Sequence, residues 1–518
     1  MVVIDTLSEN ARQFFADLQT KTAGLETENF RLQRIIQLKD EQIKLLNFRI
    51  FGPKSEKLSS AQIPLLLAEI SLTAGEVARE AELPQEQKDH PLPRAKKPRP
   101  NHPGRELLAA HLERREEVIA CCPEDCRCSQ CGAERPVIGY ETREELACAP
   151  AQFWVRVIKR EKRGSHCLEE QGVATAAAPA QIIPKGKLSN ELVIEVLAQK
   201  YQQHLPVYRQ CATLAEDQGI ELSRKTLTDA ILAAGGLLRA VVRAQKVELL
   251  AGGYVQADET TMPCQTPEKT GRNHRAYLWE YSAPGGVVVF DFRMGRGRDG
   301  PKEFLHGFVG TVQSDGYAAY DDLGAGIVYA GCLAHARREF VDAAKVAPLD
   351  PLPAEVIARL GELYAVEKAA RQLGLGAQER QALRQQKSAP VMAALKERLV
   401  AIRQQLAPGG TLAKACDYTL GQWSRLEVFL HDGRVEIDNN WCEGAMRPLV
   451  LGRKNWLHIG SELAGPKVAA IASIVETCRR LEINLRKYLN DVLPKLGQWP
   501  ISRVAELTPT AWKAARKS

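Results

Sequence analysis

The spacing of apolar residues changes twice along the chain, and each change marks a different kind of structure. Over residues 15–50 the spacing is heptad. One row reads Phe15, Thr22, Asn29, Ile36, Ile43, Ile50, and the other Leu18, Leu25, Leu32, Lys39, Leu46. Leucine on one seam, β-branched residues on the other and a single internal Asn predict a parallel two-stranded coiled coil. The same rows also suit an amphipathic helix packed on its own chain. Phe51, Gly52 and Pro53 stop the helix, so residues 1–58 read as a leucine-zipper-like dimerisation segment.

Residues 59–105 read as a linker, because repeated Pro between 80 and 105 blocks both helix and sheet. A small Cys-containing module follows, over 106–180. Helical spacing returns over 181–248: LSNELVIEVLAQKYQQH, a break at Pro206, VYRQCATLAEDQG, then a long helix from Ser223. Gly219 reverses the chain, Ser223 caps the next helix, and Arg224 and Lys225 occupy its first turn. That is the form of a helix-turn-helix junction, found in DNA-binding proteins and in plain helix pairs alike.

From Gly253 the period shortens to that of strands. Gly253–Asp258 predicts a short apolar strand, and residues 276–282 and 287–292 predict two more, joined by the hairpin signal Ala283-Pro-Gly-Gly. Residues 301–308 predict a short helix, 310–315 and 327–331 two strands, and a helix starts near Leu333. The order β-β-β-α-β-α-β-α places the chain in the α/β class with a ribonuclease-H-like layout. Three antiparallel strands come first, then parallel ones reached through helices. Residues 249–344 form the first part of that core, and 345–430 a helical insertion. Residues 431–475 complete the core with a polar Asp-Asn-Asn segment and a helix at 440–447, and 476–518 form a C-terminal tail domain.

Composition narrows the function classes. The 518 residues suffice for roughly two to four domains, and 45% hydrophobic content excludes global disorder. No apolar run approaches the roughly 20 residues of a membrane span, and the N-terminus lacks the layout of a secretory signal. The expectation is a cytoplasmic, nucleoid-associated protein without a membrane partner. A net charge of +7 is mild, but it is clustered. Arg94, Lys96, Lys97, Arg99 and Arg105 share one stretch, and Arg156, Lys159, Arg160, Lys162 and Arg163 another. Such runs are either solvated faces or nucleic-acid contacts. Five of the 13 cysteines lie between Cys121 and Cys131, which without a secretion signal points to metal before disulfides.

Carboxylates on separate elements of this core suggest two-metal phosphodiester chemistry, since Mg²⁺ prefers hard oxygen ligands and open positions. Asp258 ends the first predicted strand and Asp315 the fourth. These strands are neighbours in such a core, about one strand spacing apart. Glu443, on a later helix, is the third. Each taken singly also reads as a turn or surface residue.

The surrounding words are specific. They are LNFRIFGPKSEKL (46–58), KYQQHLPVYR (200–209), ADET (257–260), SDGYAAY (314–320), GCLAHARR (331–338), IDNNWCE (437–443) and RPLVLGRKNW (447–456). With these words the chain resembles the transposases of the insertion sequence 66 family over nearly its whole length. The resemblance implies an Asp-Asp-Glu triad on Asp258, Asp315 and Glu443 holding Mg²⁺ or Mn²⁺. It also implies cleavage at the terminal inverted repeats of an insertion sequence and joining to target DNA. A catalytically inactive DNA-binding descendant and a nuclease with the same core are the competing readings. Arg447, Arg453 and Lys454, with Arg337 and Arg338, are candidate phosphate contacts beside Arg224 and Lys225, or else ordinary surface residues. His335 in Cys332-x-x-His335 is site support. Cys128-Ser-Gln-Cys131 is half of a zinc knuckle. The family pattern implies a second pair after Lys159–Arg163, where this chain has only His166 and Cys167. Structural Zn²⁺ and a set of free thiols both remain open. A homodimer or higher oligomer and accessory proteins of the same element complete the expected partners.

Overall fold

The computed structural model describes residues 9–51, then 153–156, 158, 162–164 and 173–175, and 179–516 except 185 and 268–271. The linker, Cys128, Cys131, His166 and Cys167 all lie outside the described residues, and with them the zinc expectation. The chain divides into two units, residues 71–175 and the remainder. In the first, β1 (Lys162–Gly164) pairs antiparallel with β2 (Val173–Thr175).

The second unit begins with α1 (Glu9–Phe51), a 43-residue helix that ends just before Gly52 and Pro53. Among the described residues its heptad leucines are uncovered within the protomer: Leu25 is 72%, Leu32 51% and Leu46 55% exposed. Near its end, Glu41 accepts hydrogen bonds from the Thr411 amide (3.1 Å) and hydroxyl (3.0 Å).

The helical region consists of α2 (Asn190–Tyr201), α3 (Val207–Gln218) and α4 (Arg224–Ala251). Its punctuation is local. Ser189 and Ser223 each cap a helix through the side chain, and Gly219 closes α3 at φ 64°.

The mixed α/β core holds one five-stranded sheet: β3 (Tyr254–Cys264), β4 (His274–Ser282), β5 (Val288–Arg293), β6 (Gly310–Gln313) and β7 (Ile327–Ala330). The order across the sheet is β5-β4-β3-β6-β7. The first three strands are antiparallel, and β6 and β7 run parallel to β3. Between β5 and β6 lies α5 (Asp299–Phe304), but between β6 and β7 there is only a single 3-10 turn, Ala318–Tyr320. β6 starts at Gly310, where φ is 146° and an added Cβ would collide with the Gly253 carbonyl, so only Gly fits.

After β7 the chain enters α6 (Leu333–Val346). It then builds the helical insertion from α7 (Pro351–Gln372), α8 (Ala377–Leu383), a π-turn at Arg384–Ser388, α9 (Ala389–Gln405), α10 (Thr411–Gly421) and α11 (Trp423–Leu426). These helices share a core of their own around Phe340, Leu360, Leu363, Leu395, Leu399 and Trp423. Fully buried Arg384 ties it together, pairing with Glu367 (2.7 and 2.9 Å) and donating to the Phe429 and Val435 carbonyls (both 2.8 Å).

The chain returns through α12 (Asn440–Trp456), α13 (Gly465–Arg480), α14 (Leu485–Leu496) and α15 (Pro509–Ala514). Almost every residue of α13 is buried between β5 and α4. Its hydroxyls finish the sheet. Ser473 accepts from the Phe290 amide (2.8 Å), and Thr477 both accepts from the Val288 amide (3.0 Å) and donates to its carbonyl (3.1 Å). Three outward backbone groups of edge strand β5, at Val288 and Phe290, are thereby satisfied without another strand.

Two buried glutamines hold the returning segment to the sheet. Gln256 and Gln313 face each other across the parallel β3–β6 pair, and Gln256 Nε2 donates to Gln313 Oε1 (2.9 Å). Gln256 also donates to the Asp438 carbonyl (2.8 Å) and accepts from the Cys442 amide (3.3 Å). Gln313 donates to the Gly331 and Glu436 carbonyls (both 2.8 Å). The Tyr254 hydroxyl donates to Gln313 Oε1 and accepts from the Glu436 amide (3.0 Å). A buried polar group left without a partner costs about 1–3 kcal/mol. Gln313→Leu strands the Gly331 and Glu436 carbonyls together, so a loss on the order of 3 kcal/mol is expected. Equilibrium urea unfolding measures it, and a loss under about 1 kcal/mol would show that the network is dispensable.

Candidate active site

Strand register brings the first two carboxylates together. Gln256 pairs with Gln313, and Asp258 and Asp315 each lie two residues further along. One detail differs from the expectation: β3 does not end at Asp258 but continues to Cys264 against β4, with Asp258 opposite Glu280. The longer hairpin partner carries it on, because β4 begins as early as His274. Asp315 follows β6, which ends at Gln313. It lies in a turn where its Oδ1 accepts from the Tyr317 amide (2.9 Å) and its carbonyl from the Tyr418 hydroxyl (2.7 Å).

Glu443 stands in the first turn of α12, directly after Cys442, whose amide Gln256 receives. The expected helix end at Arg447 is corrected: α12 runs through Pro448 to Trp456. Proline lacks the N–H that would reach the Gly444 carbonyl. Arg479 of α13 donates to that carbonyl instead (3.3 Å), which lets the helix continue.

Asp258 senses the other two carboxylates. Burial first, and then the charges of Glu259, Asp315 and Glu443, push the Asp258 carboxyl up to about 8, against the lowering effect of a hydrogen bond from the Glu259 amide (2.8 Å). Glu443 Oε1 is buried without a hydrogen-bond partner, 3.8 Å from His335 Nε2 and 3.8 Å from Arg338. Arg447 reaches its other oxygen at 4.0 Å. Yet among the described residues no group of three or more His, Cys, Asp or Glu side chains is gathered closely enough to hold a metal ion.

The other candidate residues separate by place. Arg338 and the largely exposed Arg447 flank Glu443. Arg337, on the same helix as Arg338, is half-buried, and its charge acts on the Tyr364 hydroxyl. Arg453 is tied to β3 through the Thr261 carbonyl and hydroxyl, and Lys454 is exposed beside it. Arg224 and Lys225 lie exposed in the first turn of α4, where Arg224 sits over the Tyr208 ring (5.8 Å) and Lys225 pairs with Asp229. Cys332 is buried and accepts from the Asn439 amide (3.5 Å), while burial pushes its thiol up to about 12. It anchors the returning segment.

Sequence reading missed two supporting groups. Glu259 reads as part of a polar strand end, but it accepts from Arg296 (2.6 and 2.8 Å) and the Tyr320 hydroxyl (2.7 Å), binding the 294–298 loop and the Asp315 turn to β3. Glu280, opposite Asp258, is fully buried with Arg480 at 3.8 Å. Both partners are far away in sequence, so no local pattern announces them. An acid alternating into a buried face of β4 was the available signal.

Residues 185–467 match the family described as Transposase IS66 family, and residues 40–116 match one described as Transposase C of IS166 homeodomain. The uncharacterized protein y4qI of Sinorhizobium fredii is 33% identical over 528 residues, covering 96% of this chain and 94% of its own. The uncharacterized protein y4hP of the same organism is 30% identical over 507 residues, covering 92% and 88%. With one family matched over more than half its length and relatives alike almost end to end, the chain belongs to the Transposase IS66 family.

Proposed function

We propose that this protein is an Asp-Asp-Glu DNA transposase that cuts the ends of its insertion sequence and joins them to target DNA. The observation that carries the reading is the convergence of Asp258, Asp315 and Glu443 from β3, the turn after β6 and α12, with Glu443 Oε1 buried and unpaired. The sheet order β5-β4-β3-β6-β7, antiparallel then parallel, supports a ribonuclease-H-like core. Asp258, Asp315 and Glu443 would be the ligands of a hard divalent cation by donor type, although as placed they are not gathered around one ion position. All the donors are oxygens, one of them lacks a partner, and a cation would offset both the burial and the acidic neighbours that raise Asp258. When bound, Mg²⁺ or Mn²⁺ supplies a Lewis acid that eases deprotonation of water and offsets phosphate charge.

The chain's own residues do the rest. Arg338 and Arg447, beside Glu443, are placed to meet the non-bridging oxygens of a phosphate, and Lys454 and Arg453 extend that basic side along α12. His335 faces Glu443 Oε1 and orients it. The exposed first turn of α4, with Arg224 and Lys225, is offered to duplex DNA. The uncovered seam of α1 pairs two protomers, as holding two DNA ends requires. Zn²⁺ on Cys128, Cys131, His166 and Cys167, and accessory proteins of the element, belong to the same reading.

A second reading, a DNA-binding descendant without catalysis, draws on the carboxylates not being gathered around one ion position. Cleavage of a duplex carrying the element's own end in Mg²⁺ decides between them. Asp315→Asn is expected to lower cleavage at least 100-fold with end binding kept, and cutting at the wild-type rate would remove Asp315 from the site. Cut ends that never join target DNA would leave a nuclease. In metal-free buffer at pH 7, Asp258→Asn is expected to raise the midpoint of thermal unfolding by removing a carboxyl that burial, and then its acidic neighbours, make costly to bury, and to abolish the further rise that Mg²⁺ gives wild type. An equal Mg²⁺ response in both would place the ion elsewhere. Leu25→Glu with Leu32→Glu is expected to convert dimers to monomers in sedimentation equilibrium; unchanged dimers would show that α1 is not the pairing element.

A further inference from the structure

A cavity of 550 Å³ opens between the helical insertion and the first two turns of α12, lined among others by Tyr364, Arg371, Asp438, Trp441, Arg479 and Arg480. None of the three candidate carboxylates lines it. Glu443 is two residues from Trp441, and two steps of about 100° turn it to nearly the opposite face of the helix.

Trp441 is the unusual member. The residue is 43% exposed and lines the cavity, although tryptophan is the side chain with most to gain from cover. It is also held in place. The side chain of Arg480 is only 4% exposed, and it donates to the Trp441 carbonyl (2.7 Å) and the Ala283 carbonyl (3.0 Å) while its guanidinium lies 5.6 Å from the indole centroid. An aromatic face fixed from behind and open in front is a stacking platform.

The charges around it are ordered. Asp438 and Glu436 are buried at the floor, Asp438 accepting from the Asn440 amide and side chain (3.1 and 2.8 Å). At the rim the side chains of Arg371 and Arg479 are each more than half exposed, although both also touch acids of the protein. A phosphate is repelled by the floor and welcomed at the rim. A neutral flat ring with amino groups suits the interior, where carboxylate oxygens accept and the indole stacks.

We propose that this cavity receives an unpaired DNA nucleotide, its base stacked on Trp441 and its backbone held at the rim by Arg371 and Arg479. The ligand is single-stranded, because a paired base has both faces already covered by its neighbours. Bases bearing an exocyclic amine fit the acidic floor better than thymine. The proposal rests on the transposase reading, and its test separates the two.

The test uses the full-length protein, a fluorescent single-stranded heptamer of deoxycytidine, the same length of thymidine, and a 20-base-pair duplex, with binding read by anisotropy. The expected results are tighter binding of the cytidine heptamer than of the thymidine one, about tenfold weaker cytidine binding in Trp441→Ala and Trp441→Leu, near wild-type binding in Trp441→Phe, and unchanged duplex binding in all three. Trp441→Leu keeps apolar bulk without a stacking face, so it reports on stacking even where Trp441→Ala fails to fold. Heptamer binding unaffected by the loss of the ring, or duplex binding lowered to the same degree, overturns the proposal while leaving the transposase reading intact. Failure of the wild type to bind either DNA overturns both.

Discussion

Two glutamine side chains inside the protein set the positions on which the rest depends. Gln256 and Gln313 sit on adjacent parallel strands, and between them they satisfy backbone groups at positions 331, 436, 438 and 442. Amides suit this task because each offers two donors and an acceptor in one plane. A buried network of this kind is strongly directional: partial satisfaction costs more than an apolar core would, so the segment has one good seat. That seat lies two residues from Asp258, two from Asp315 and one from Glu443. The insertion between the second and third carboxylates can therefore be large without loosening them. Its own buried Arg384–Glu367 pair fixes the far end by gripping the carbonyls of residues 429 and 435 just before the chain re-enters the sheet.

Much of this was legible in the chain because the signals are local. Heptad leucines gave the long first helix, and Gly219 and Ser223 marked a helix end and a helix start. Alternating Val, Phe and Tyr residues around Ala283-Pro-Gly-Gly marked the hairpin. The element order put Asp258 and Asp315 on neighbouring strands, but their equal offset from Gln256 and Gln313 is set by the strand register. What was not legible depends on distant partners. The continuation of β3 past Asp258 needs β4 beside it. The continuation of α12 past Pro448 needs Arg479 to supply the hydrogen bond that proline cannot. Glu259 looks like a turn residue until Arg296 and Tyr320 are seen to hold it. Trp441 sits in a polar word and gives no hint of the cavity beside it.

The electrostatics of the site follow from the same placement. Asp258 lies buried with other acids near it, and its raised carboxyl reflects that burial first and the neighbouring charges of Glu259, Asp315 and Glu443 second. Arg338, Arg447 and His335 compensate at Glu443, at distances near 4 Å and not at hydrogen-bond contact. Cations held slightly back leave the carboxylate oxygens free for another partner, as the unsatisfied Glu443 Oε1 shows.

The hydroxyls of Ser473 and Thr477 along β5 bear on how copies of this protein can meet. An open strand edge invites a second chain to extend the sheet, and such joining is insensitive to sequence and hard to undo. Here a helix of the same molecule takes the Val288 and Phe290 amides of that edge. That stretch of β5 is closed to a second strand, and in the proposed reading association falls to side-chain surfaces such as the seam of α1. Those surfaces can be specific about partner and register, and they can come apart when the work is done.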